Sequence, residues 1–195
     1  MSKRFLLLPC LLVLSALAFT ACGSGSDAEG KVEETIETAA TSTDPANCAM
    51  LETRKFMEQT GNEGGKSALK SCEEEAEKEE NAESVEISNV EVDGSNATAE
   101  VVLSGGNSLE GQALEVALVQ EGDQWKLNEV VKFTHFDRTK LVESFEREIE
   151  KSGETSSKFA TCFIGRLEEA SQAEIEGMLF GGNAKAFEEI AEGCP

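Results

Sequence analysis

The 195-residue chain predicts an α+β fold: N-terminal helices packed on a curved, mostly antiparallel four-stranded sheet, followed by a helical C-terminal module. Three observations carry that prediction. The only strongly β-patterned block runs from Val85 to Thr134. Turn residues cut it into four consecutive runs, which reads as a meander. Apolar residues on either side of the block recur at steps of three and four, the spacing of one helix face.

The chain begins with a short basic region, Lys3 and Arg4. An uncharged apolar run from Phe5 to Phe19 follows, and then Thr20, Ala21 and Cys22. That run is too short to span a bilayer and ends in small residues, so it reads as a secretory signal. With a cysteine at the cleavage point it resembles a bacterial lipoprotein signal, departing only in Phe19 where leucine is usual. The resemblance implies diacylglyceryl addition to Cys22, cleavage before it and acylation of the new N-terminus. Gly23 to Gly30 reads as a flexible polar tether. A lipid anchor, palmitate included, on the extracytoplasmic face of a bacterial membrane would then be the only membrane attachment. The division expected is 1–21 signal, 22–30 lipidated cysteine and tether, 31–136 α+β domain and 137–195 helical module.

Lys31 to Ala40 carries Val32, Ile36 and Ala39/Ala40 at helical spacing. Asp44 and Pro45 supply an N-cap and a first-turn proline for a second helix that carries Cys48, Met50, Leu51 and Phe56. Thr60 to Gly65 reads as a loop. Lys66 to Asn81 reads as a third helix, with Ala68, Leu69 and Cys72 inward. Its end, Glu73 to Glu80, is the densest charge run of the chain. Carboxylates on one helix diverge and no looped, Asp-rich pattern with a central glycine is present, so this is a solvated helix end and not a calcium site.

In the β-block, Asp93-Gly94 between two β-rich runs marks a tight hairpin turn. The second run alternates at Ala97, Ala99, Val101 and Leu103. The first changes phase from Val85 and Ile87 to Val90 and Val92, which predicts a bulge near Ser88-Asn89. Ala113 to Val119 is almost wholly apolar and reads as a central strand. Glu121-Gly122-Asp123 then turns the chain into Gln124 to Phe133. Helices followed by a meander that closes on Gly122, Asp123, Gln124, Trp125, Lys126 and Leu127 resemble the NTF2-like domains of bacterial lipoproteins, over about Lys31 to Phe136. The likeness implies a curved sheet wrapped over helices into a cone.

Seven of the ten phenylalanines fall from Phe133 onward, so the C-terminal part brings its own apolar material. Leu141, Phe145 and Ile149 mark one helix, and Phe159, Phe163 and Leu167 a second. Ala173 to Phe180 marks a third around Ile175 and Leu179. Ala184 to Glu192 marks a fourth, with Phe187 and Ile190 inward. Cys162 to Leu167 and the closing Gly193-Cys194 resemble small helical segments of secreted actinobacterial proteins.

Cys10 lies in the signal and Cys22 at the lipid site, leaving Cys48, Cys72, Cys162 and Cys194. An even count in an exported chain suggests disulfides, with three connectivities open. Cys48–Cys72 with Cys162–Cys194 is favoured, because each pair sits within one helical region. The spacings are too long for CxxC redox or zinc-ribbon motifs.

The net charge is −21. Loss of Lys3 and Arg4 with the signal leaves 15 basic against 38 acidic residues, or −23. That balance argues against nucleic acid, whose phosphates must be neutralised by Lys and Arg, and against close adhesion to anionic headgroups. Asn96-Ala97-Thr98 matches a glycosylation sequon and is read as chance. The chain has no Tyr and a single His, and no GxSxG elbow, phosphate loop or HExxH. Enzymes of the NTF2-like class related to ketosteroid isomerase need a carboxylate base with oxyanion donors. His135 is expected to be a hydrogen-bonded packing residue. Trp125 and Phe133 are expected to line a pocket or fill the core. No catalytic residue, metal or cofactor is expected. The reading is a non-catalytic binding module that docks an envelope protein or a small apolar ligand. The alternative is a carrier or enzyme using the interior of the cone.

Overall fold

The computed structural model describes residues 24–61, 66–77, 81–105, 109–152, 158–181 and 184–195. Four helices precede a four-stranded antiparallel sheet and four follow it among these residues. The sheet order is β1-β2-β3-β4, a plain meander.

Helix α1 spans Ser24–Thr41, so most of the stretch expected to be a free tether is helical. Asp27 in the first turn complements the helix dipole, whereas Gly25 and Gly30 cost only about 1 kcal/mol each relative to alanine. The face carrying Val32, Thr35 and Ile36 is buried on the sheet. Beyond α1, the Asp44 carboxylate accepts the Ala46 N–H at 3.0 Å, in the place where the sequence puts an N-cap.

The single helix expected after Asp44 is two. α2 is Ala46–Leu51 and α3 is Arg54–Thr60. Between them Glu52 is extended and bridges Leu127, and the Thr53 N–H donates to the Leu127 carbonyl at 2.8 Å. Thr53 then caps α3, its hydroxyl accepting from the Phe56 N–H at 3.2 Å. At this break Thr53 exchanges the bonds of a continuous helix for a sheet hydrogen bond to Leu127 and an N-cap on α3. Met50, expected on this helix, is half exposed. α4 is Lys66–Glu77; the rest of the acidic run, through Glu80, lies outside the described residues.

Strands β1 (Ser84–Asp93), β2 (Asn96–Ser104), β3 (Ala113–Glu121) and β4 (Gln124–His135) follow. Gly94 and Gly122 hold φ of 62° and 64° in the two hairpin turns, a region open to glycine at no steric cost. The β1 register shifts between Ser88 and Glu91, with Asn89 at φ 51°. This is the bulge that the change of phase predicts. β4 carries three further irregularities, and its 12 residues pair with the 9 of β3. Each extra residue bends and twists the strand, so β4 curves over the core.

The inner face is built from Ala97, Ala99 and Val101, then Leu114, Val116 and Leu118, then Trp125, Leu127, Val130 and Phe133. The uneven steps along β4 follow its bulges.

Asp137 caps α5 (Arg138–Ser152), its carboxylate accepting the Lys140 N–H at 3.1 Å. α6 (Lys158–Glu169), α7 (Gln172–Phe180) and α8 (Ala184–Ala191) complete the chain. Val142, Phe163, Leu167, Met178 and Ile190 form a second small core. Leu141 and Ile175 instead enter the core of the sheet, and the Phe133 and Phe180 rings lie 5.0 Å apart. The C-terminal helices therefore share the sheet's core as well as having their own. Phe187, expected inward, is 42% exposed, with its ring 5.2 Å from Phe163.

Candidate functional site

The concave face of the sheet carries the residues expected to line a pocket, and a cleft beside the first disulfide carries a strongly shifted carboxyl. On the concave face, Trp125 is 2% and Phe133 4% exposed. Both belong to the continuous apolar core with Val32, Ile36, Leu114 and Leu118. α1 covers one part of this face, while α5 and α7 send Leu141 and Ile175 into the core.

The free edge of β4 is closed by side chains. The Gln59 amide donates to the carbonyls of Val130 at 2.8 Å and Phe180 at 2.7 Å, and its oxygen accepts the Val130 N–H at 2.8 Å. The Glu176 carboxylate accepts the Phe133 N–H at 3.0 Å. Gln112, fully buried, holds the corner between β4 and α5 through two bonds to the Asp137 backbone, at 2.8 and 2.9 Å. Gln59 and Glu176 satisfy backbone groups on the edge of β4, and Gln112 those of the corner after it, as buried peptide groups require.

His135 is exposed at the end of β4, which corrects the expectation of a packing residue. The irregularity between Ala113 and Leu114 leaves Phe133 buried and places His135 past the last inward position. Asp137, next to it in sequence, is engaged in capping α5.

The cleft lies between the end of α1, α2, α3 and α4. It holds about 100 Å³ and is lined by Asp44, Asn47, Glu52, Thr60, Glu75 and Asn81, with both Cys48 and Cys72 in its wall. Burial pushes the Glu52 carboxyl up to about 7, and the neighbouring Glu75 carboxylate adds to the effect. Glu52 Oε2 lies 3.5 Å from Cys72 Sγ. A disulfide sulfur has no hydrogen to give, so any hydrogen in that contact belongs to the Glu52 carboxyl. A carboxyl poised near neutrality can release and take up protons at physiological pH. Among the described residues no three His, Cys, Asp or Glu side chains are grouped to hold a metal ion.

The disulfides are Cys48–Cys72 and Cys162–Cys194, with Cα separations of 6.0 and 5.6 Å, the pairing favoured from sequence. Each closes a loop whose entropy is worth roughly 3–4 kcal/mol. Cys22 lies outside the described residues. No helix among the described residues is long and apolar enough to cross a membrane.

Glu52, Gln59 and Gln112 were not legible as notable. Gln59 meets partners 71 and 121 residues away, and no local pattern marks such a position. The nearest signal for Glu52 was the capping threonine that follows it. No family model, curated protein or solved structure matches the chain.

Proposed function

We propose that this chain is a lipid-anchored extracytoplasmic module, held through Cys22, that binds a partner without catalysing a reaction. The partner class is another protein of the envelope or a small apolar ligand. The observation that carries the reading is the filled concave face. Trp125, Phe133, Leu114 and Leu118, each at most 4% exposed, occupy the space where an NTF2-like cone would hold a substrate. Recognition then belongs to the outer surfaces. The two disulfides support an oxidising compartment, where such bonds persist. The acidic surface disfavours nucleic acid as the partner. A carrier or enzyme using the interior of the cone is less well supported, because core side chains stand there.

Two experiments test the proposal. Radiolabelled palmitate should enter the full-length chain in a bacterial host, and Cys22→Ala should abolish the label. Secretion of an unlipidated form would remove the anchor from the proposal. A screen for hydrolase, isomerase and dehydratase turnover should stay blank. Turnover lost in His135→Ala or Asp137→Asn, with circular dichroism unchanged, would replace it with an enzyme.

A further inference from the structure

The Cys48–Cys72 disulfide lines the cleft; Cys48 is buried with Met57 and Ala68 in a small apolar cluster, and Cys72 is half-buried against it. The cleft holds about 100 Å³, room for the sulfur end of a small thiol. Glu52 Oε2 stands 3.5 Å from Cys72 Sγ. Glu75 from α4 and Asp44 from the segment before α2 are the other carboxylates of the wall, and its described residues include no Lys or Arg. On β4, Lys126 is turned to the Ala49 carbonyl and Glu121.

We propose that Cys48–Cys72 is an exchangeable disulfide, opened and closed by thiols entering the cleft, with Glu52 carrying the proton of Cys72. The proposal goes beyond the envelope role and does not depend on it. In the opening direction a thiolate attacks Cys48 Sγ and forms a mixed disulfide there. The Sγ–Sγ bond breaks, its electron pair leaves on Cys72 Sγ, and the Glu52 carboxyl gives that sulfur its proton. A second thiolate attacks the outer sulfur of the mixed disulfide and releases Cys48, which takes its proton from water. Two thiols are oxidised to one disulfide and the protein disulfide is reduced to a dithiol. Closure is the reverse, with the Glu52 carboxylate removing the Cys72 proton. Assignment of Cys72 as the leaving sulfur follows from its contact with Glu52, since a protonated thiol leaves more readily than a bare thiolate. The Glu75 and Asp44 carboxylates repel added negative charge, so a small thiol with no charge beyond that of its thiolate fits the cleft best.

The position of the Glu52 carboxyl near 7 sets the pH range for the test. The native chain is opened with β-mercaptoethanol between pH 5.5 and 9, and each disulfide is followed by alkylation and peptide mass. Rates are divided by the thiolate concentration. For Cys48–Cys72 the normalised rate should fall about a hundredfold from pH 6 to pH 9, the low end of acid–base contributions, while Cys162–Cys194 stays level. Glu52→Gln should slow opening about a hundredfold at pH 6 and flatten the profile. A level native profile overturns the proposal by itself, whether or not the variant folds. So does a Glu52→Gln chain that opens fast at every pH, which would mean that ionised Glu52 only repels the thiolate. Opening at the rate of global unfolding overturns it as well.

Discussion

Gln59 and Glu52, eight residues of chain around α3, show how differently a buried polar group can act. Gln59 makes three bonds to backbone groups of β4 and α7, so its loss strands peptide groups that water cannot reach. Gln59→Ala should cost about 3 kcal/mol, from one or two unsatisfied groups at ~1–3 kcal/mol each. Urea unfolding would check this, and a loss under 1 kcal/mol would mean that the neighbourhood rehydrates. Glu52 acts through its proton. Its folded-state pKa of about 7 lies above the ordinary carboxyl value of about 4.5, so the folded state binds more protons than the unfolded one in between. Stability should therefore fall as pH rises from about 4.5 to 7 and level off beyond, by about 3 kcal/mol at ~1.4 kcal/mol per pKa unit. Glu52→Gln should leave stability near pH 4 almost unchanged and raise it at pH 8. Denaturation at both values separates the two behaviours, and equal shifts at both would remove Glu52 as the titrating group.

Among the elements, β4 does the most to shape the molecule. Its bulges turn Trp125, Leu127, Val130 and Phe133 onto one face despite uneven spacing. As the edge strand, β4 also leaves peptide groups open that α3 and α7 cover. α7 can serve because its start is well determined. Ser171 and Glu174 form a reciprocal capping box, and the Ser171 hydrogen bonds hold the Glu174 carboxyl below its usual range. Helix α8 depends more on its staple, since Cys162–Cys194 ties its end to α6. Replacing both cysteines by serine should cost roughly 3–4 kcal/mol. Hydrogen exchange should then quicken mainly in α8, with β3 amides changed least. Equal acceleration in α8 and β3 would show that the second core does not yield separately.

At the scale of the whole molecule, the two cores are joined through α5 and α7. Leu141 and Ile175, both at 0% exposure, pack in the core of the sheet while their neighbours Val142 and Met178 build the smaller one. A chain ending at Asp137 should accordingly lose part of the cover over Phe133, bind a hydrophobic dye and unfold at lower urea than the full chain. Equal stability of the shortened chain would restore the picture of two independent modules. Filling of the interior by both sets of helices is also what favours recognition on the outer surface.

Much of this was readable in advance. Strand boundaries, the β1 bulge and the faces of α5 and α6, apart from Phe159, which is exposed, follow from period-two and period-four patterns, which depend on nearest neighbours along the chain. The disulfide pairing was favoured on similar grounds, because each pair closes a loop within one helical region. What the sequence could not disclose depends on groups far apart in it. The break at Glu52-Thr53 exists because Leu127 offers a carbonyl there. The edge groups of Val130 and Phe133 on β4 are met by Gln59 and Glu176, which lie far off in sequence. The Glu52 carboxyl is displaced only because α4, pinned by Cys72, brings Glu75 and low-dielectric surroundings to it. Local periodicity determined the elements. Desolvation and hydrogen-bond satisfaction between distant segments decided how they bend, where they break and which carboxyl holds its proton.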